Sequence, residues 1–128
     1  MKRDWDIVRE ILIRLETKGP QEHSLRLSSF PDERRDEISY HVELLEEAGL
    51  ICGHMSKQLG TGPHDFAAVR LTWAGHELLD AIKNDTVWKK TKESFISKGL
   101  SMTFDLLKSV AISFAIESLK KSVPGLHA

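Results

Sequence analysis

The sequence predicts a mostly α protein of the α+β class, and three observations carry that expectation. Several segments repeat apolar residues at spacings of three and four with charges between them, as amphipathic helices do. Two β-type runs, one restarting at Leu50-Ile51 and one reading FAAVRLTW, flank the turn-rich stretch QLGTGPHD. Helix-stopping residues stand between the periodic segments: Gly19-Pro20, Gly49, Asn84-Asp85 and Gly99. Helix, short strand, helix and hairpin make a winged helix-turn-helix-like domain with a small β-hairpin wing. A C-terminal helical extension follows. The expected division is 1–84 for the winged-helix-like domain and 85–128 for the extension, both within one compact unit.

The first helix runs from the capping Asp4 to about Thr17 and places Trp5, Val8, Ile11, Leu12 and Leu15 on one face. In GPQEHSLRLSSF, Leu25 and Leu27 stand at period two, which suggests a short strand. The helix over 31–49 opens with Pro31, Asp32 and Glu33. Proline lacks an N–H that the first turn does not use, and the acids suit the positive end of the dipole. Its apolar stripe is Ile38, Val42 and Leu45, and Gly49 sits at a C-terminal cap position. In the second hairpin strand, strict alternation puts Phe66, Ala68 and Arg70 on one side and Ala67, Val69 and Leu71 on the other. Thr72 is placed to cap a helix from Trp73 to about Lys83, Thr86–Lys98 forms the next, and Ser101 caps a last one reaching about Val123.

Length and composition bound the function. With 128 residues the chain can bury a single core, and its 41% hydrophobic and 29% charged fractions are ordinary for a globular protein. A net charge of -1 gives no bulk attraction for nucleic acid or an anionic membrane. Cys52 is the single cysteine, which rules out an intramolecular disulfide and suits a reducing cytoplasm. MKRDWDIVRE lacks the apolar core of a signal peptide, and no run of about eighteen uncharged apolar residues occurs. A cytoplasmic protein without a membrane partner is therefore expected. Locally the charge is uneven: residues 32–50 sum to -5 and residues 83–98 to +3.

Two resemblances add to this reading. ISYHVELLEEAGLI resembles the recognition-helix end of many bacterial winged-helix regulators, where a His and paired leucines precede a Glu-Ala-Gly-Leu run into the wing. The whole chain resembles the family called domain of unknown function 2513, found in bacterial and phage-associated genomes. The residues that carry this are Met1-Lys2-Arg3-Asp4, the run from Tyr40-His41 to Leu50-Ile51, and RLTWAGHELLDAIKNDTVWKKTKE from Arg70 to Glu93. The resemblance implies a small winged-helix-like protein and brings no catalytic residues. One departure matters: LRLSSF is too short and too polar for the usual support helix. Either that helix is vestigial or the front of the 31–49 helix splits off to replace it.

Double-stranded DNA is one expected partner. In that reading Arg34, Arg35, Ser39 and Tyr40 face the groove, the arginines on guanine edges and the hydroxyls on phosphates, while Lys57 and Arg70 add contacts from the wing. Seven acids against two bases on this helix oppose it, because like charge near phosphates costs Coulomb energy. The rival is a protein-interaction module whose acidic helix docks a partner protein. The broad apolar arc of the last helix then makes a homodimer, through Leu107, Val110, Phe114 and Leu119. The lysines of residues 83–98 read more naturally as a solvated face opposite a packed Trp88. Cys52, His54, His64 and Asp65 do not match a recognised metal spacing, and His41 and His76 read as partly buried, satisfied histidines. No nucleophile elbow, phosphate loop or His-Glu-x-x-His motif is present. The expectation is a non-enzyme with no cofactor and no metal.

Overall fold

The computed structural model describes residues 1–56, 60 and 62–122. The chain forms two compact units, Met1–Glu77 and Leu78–Ala128. The first holds α1 (Trp5–Thr17), β1 (Leu25–Arg26), two single-turn 3-10 helices (Leu27–Ser29 and Asp32–Arg34), α2 (Arg35–Glu47), β2 (Ile51–Met55) and β3 (Phe66–Leu71). The helix α3 (Trp73–Ile82) starts in the first unit and ends in the second, which also holds α4 (Asp85–Lys98) and α5 (Phe104–Ser122).

In α1 the Asp4 carboxylate accepts the backbone N–H groups of Asp6 and Ile7, as an N-cap should. The expected apolar face is buried, and Ile7 joins it. This helix packs on α2 and β3, while α2 packs on β2, so the core of the first unit lies between two helices and a sheet. The sheet is antiparallel in the order β1-β3-β2. Leu25 is in the strand and Leu27 already begins a 3-10 turn, yet both are buried.

The helix expected over 31–49 is divided. A 3-10 turn occupies Asp32–Arg34, and Arg34 leaves the helical basin (φ -106°, ψ 1°) before α2 begins at Arg35. No support helix of ordinary length precedes α2 among the described residues, since only the two short turns stand there. Gly49 adopts φ 73°, the left-handed conformation a C-terminal cap glycine supplies.

The hairpin departs from strict alternation. Cys52 pairs with Arg70 and Gly53 with Ala68, which leaves Val69 as an extra residue, a β-bulge. The bulge changes the phase of β3, so Leu71 is buried together with Phe66 and Ala68 while Arg70 is exposed. Gly53 stands opposite: a Cβ there would lie 2.5 Å from the Ala67 carbonyl oxygen.

Thr72 caps α3 as expected, its hydroxyl accepting the Gly75 N–H and donating to the Gly49 carbonyl. Asn84 caps α4 through the Val87 N–H, and Gly99 ends it at φ 64°. The start of α5 corrects the sequence reading, because Thr103 and not Ser101 accepts the first-turn N–H groups of Leu106 and Leu107. Val87, Trp88, Thr91 and Phe95 of α4 are buried, and α4 packs on α5. Of the broad apolar arc of α5, only Leu107 and Ala111 are buried.

Candidate functional site

The residues proposed to read DNA are built into the fold in different ways. Arg34 turns back onto α1. Its Nη1 and Nη2 donate to the two oxygens of Glu10, each at 2.8 Å, and Nε donates to Glu37 at 2.8 Å. This planar fork-to-fork pairing is the strong form of an ion pair. It holds the Glu10 carboxyl below its ordinary value, with the Arg34 hydrogen bonds the largest cause and partial burial opposing them, and it raises Arg34 further. Arg35 pairs with Asp32 at 2.9 Å, one turn back, and its buried Nε has no hydrogen-bond partner.

Ser39 faces inward, not outward as the sequence reading had it. It is buried, and its hydroxyl donates to the His64 carbonyl at 2.7 Å. The reason is helical phase: Ser39 follows Ile38, and the segment leading into β3 covers it. Tyr40 is half-buried, with its ring edge-on to His41, and its hydroxyl has no partner among the described residues. Arg70 is exposed on β3 and donates to its neighbour's carbonyl, that of Leu71. Lys57 lies outside the described residues.

What α2 leaves outward is acidic. Asp36, Glu43 and Glu47 are exposed, and with Tyr40 they fall at i, i+4, i+7 and i+11, one stripe along the helix. Asp32 and Glu33 extend the acidic surface at its front.

Two residues of this region were legible only in part. His41 is buried, and both ring nitrogens are engaged. Nδ1 lies 2.6 Å from the Glu37 carbonyl and Nε2 lies 2.7 Å from the Asp4 N–H. The partners dictate the neutral tautomer with its proton on Nδ1. His41 thus ties the N-cap of α1 to α2. His76, read as its counterpart, is exposed. Asp65 staples the hairpin to β1: its Oδ1 accepts the N–H groups of Leu27 and Phe66, and Arg26 lies 3.7 Å away. The backbone hydrogen bond from Leu27 is the largest cause of a lowered Asp65 carboxyl. Among the described residues no group of three or more His, Cys, Asp or Glu is placed to hold a metal ion. No helix among them is long and apolar enough to cross a membrane.

The four residues expected to form a dimer face differ in exposure. Leu107 belongs to the core of its own unit, Val110 and Phe114 are half-buried, and Leu119 is exposed. The exposed stripe on α5 consists of Ile112, Ile116 and Leu119, at i, i+4 and i+7. Two further apolar residues escaped the sequence reading as exposed: Trp73 at 82% and Ile96 at 77%.

Fold and surface together define a small α+β protein with a three-stranded antiparallel sheet, a hairpin and an acidic outer helix. Residues 2–101 match a family described as a hypothetical protein, DUF2513, and the chain belongs to that family. It is 42% identical over 111 residues to an uncharacterized protein of Haemophilus influenzae, a match covering 87% of this chain and 92% of that one. No solved structure matches.

Proposed function

We propose that the protein is a small non-enzymatic winged-helix module whose α2 surface docks a basic partner protein, in the place where a regulator would present a recognition helix to DNA. One observation carries this reading above the others. Arg34 is committed to Glu10 and Glu37, and Arg35 is paired with Asp32, so the outward stripe of α2 is acidic. Such a surface repels phosphates and attracts lysine and arginine side chains. The order helix, short strand, helix, hairpin supports the winged-helix part, with the two 3-10 turns standing in for the support helix.

DNA binding as a regulator-like module is the second reading. It is favoured by the free Tyr40 hydroxyl and the exposed Arg70. Anisotropy titrations of a fluorescent lysine-rich peptide and a fluorescent duplex, each at roughly 50 and 200 mM salt, separate the two. The first reading expects peptide binding that weakens when Asp36, Glu43 and Glu47 are changed to their amides, and no duplex binding. Salt-sensitive duplex binding that Arg35→Ala abolishes would replace it with the second.

Self-association through α5 completes the proposal. The exposed Ile112, Ile116 and Leu119 support a homodimer, since a symmetric pair would withdraw this stripe from water. Light scattering tests it directly: a monomer mass removes it.

A further inference from the structure

A cleft of about 400 Å³ opens where α1 ends and the chain approaches β1. Its lining is cationic and rich in hydroxyls: Arg14, Thr17, Lys18, His23, Ser24 and Ser29. The remaining contributors are Leu25 and a single carboxylate, Glu22. This is the opposite of the apolar lining that receives most organic ligands.

Arg14 is held in position. Its guanidinium lies over the Phe30 ring, 4.3 Å from the centroid, and Nη1 donates to the Ser29 carbonyl at 3.3 Å. Neither contact supplies negative charge; the nearby Glu10 carboxylate, which Arg14 helps to lower, has both oxygens engaged by Arg34. Lys18 and His23 have no hydrogen-bond or ion-pair partner among the described residues. Ser29 Oγ accepts the Arg26 N–H, which leaves its O–H to donate, and the Ser24 hydroxyl is uncommitted among the described residues. Thr17 is already spent, since its hydroxyl donates to the Ile13 and Arg14 carbonyls.

We propose that this cleft binds a phosphate group, with Arg14 and Lys18 supplying the charge and His23, Ser24 and Ser29 the further donors. A planar guanidinium held by stacking matches the paired oxygens of a phosphate. The C-terminal end of α1 disfavours any anion, a doubly charged one more than chloride, so selectivity for phosphate comes from its several oxygens meeting several donors at once. The site is independent of the acidic face of α2. The phosphate can belong to a free ester or to a nucleic-acid backbone, because both present the same oxygens.

The test is amide chemical-shift titration of the full chain with sodium phosphate, against sodium chloride at equal ionic strength and fixed pH. The expected result is saturable shifts confined to residues 14–29 and specific to phosphate. Lys18→Gln, which removes no contact described in the fold, is expected to weaken binding about tenfold, the loss of one charge-assisted hydrogen bond. Arg14→Lys is expected to weaken it similarly while keeping the charge. Lys121→Gln, an equal charge change elsewhere, leaves it unaltered. Equal shifts with chloride, or wild-type affinity in Lys18→Gln, overturn the proposal. If the site holds, competition by a short DNA duplex assigns it to backbone phosphate, and no competition assigns it to a free ester.

Discussion

Replacing Arg34 with alanine tests whether this residue is an internal clamp or a reader of DNA. Three hydrogen bonds of 2.8 Å are lost, two to Glu10 on α1 and one to Glu37 on α2. The three side chains are 30%, 38% and 41% exposed, so solvent screens the pair and the value for a buried ion pair does not apply. An exposed pair contributes about 0.2–1 kcal/mol, and bidentate geometry raises that toward its upper end. With two carboxylates involved, Arg34→Ala is expected to destabilise the protein by about 1.5–2 kcal/mol, read as a lower urea midpoint. The pH dependence gives a second test. The Glu10 carboxyl is depressed in the folded state, chiefly by its hydrogen bonds to Arg34. Its contribution is therefore present above the ordinary carboxylate pKa and lost as pH falls through the folded value. The gap between wild type and variant should be full near neutral pH and should shrink below about pH 4. A gap under about 0.5 kcal/mol, or one that does not change with pH, refutes the clamp. So does a loss of duplex binding in this variant without a loss of stability.

Three further outcomes are expected. His41→Leu removes the acceptor for the Asp4 N–H and should cost about 1–3 kcal/mol, with faster hydrogen exchange at the Asp4 amide as its local signature. Gly75→Ala would push a Cβ into the backbone of Leu50, whose carbonyl carbon lies 3.1 Å from that position, so a loss of about 2–3 kcal/mol is expected in urea denaturation. Ile116→Glu alters an exposed site and should change stability by less than about 0.5 kcal/mol if the protein is monomeric. If α5 forms a dimer, the same change halves the mass measured by light scattering.

Much of the architecture was legible because it is local. The α1 face from Trp5 to Leu15 is a periodicity, Asp4 and Thr72 are caps, and Gly49 and Gly99 are left-handed stops. Each depends on neighbours within a turn or two. The candidate site was less legible because its contacts are distant in sequence. Arg34 meets Glu10 across 24 residues and His41 meets Asp4 across 37, and neither separation leaves a periodic trace. Ser39 looked outward because its phase on the helix is ambiguous until the chain before β3 covers it.

By itself the sequence determined the helical segments, the hairpin and the acidity of residues 32–50, since charge and periodicity are properties of the residues themselves. The tertiary structure decided which of those charges face solvent. Packing α1 against α2 gave Arg34 a bidentate partner and committed its charge to Glu10, leaving Asp36, Glu43 and Glu47 facing solvent. It also decided the side on which Leu71 falls, because the unpaired Val69 reverses the alternation of β3. In both cases the outcome depends on residues far away in the chain.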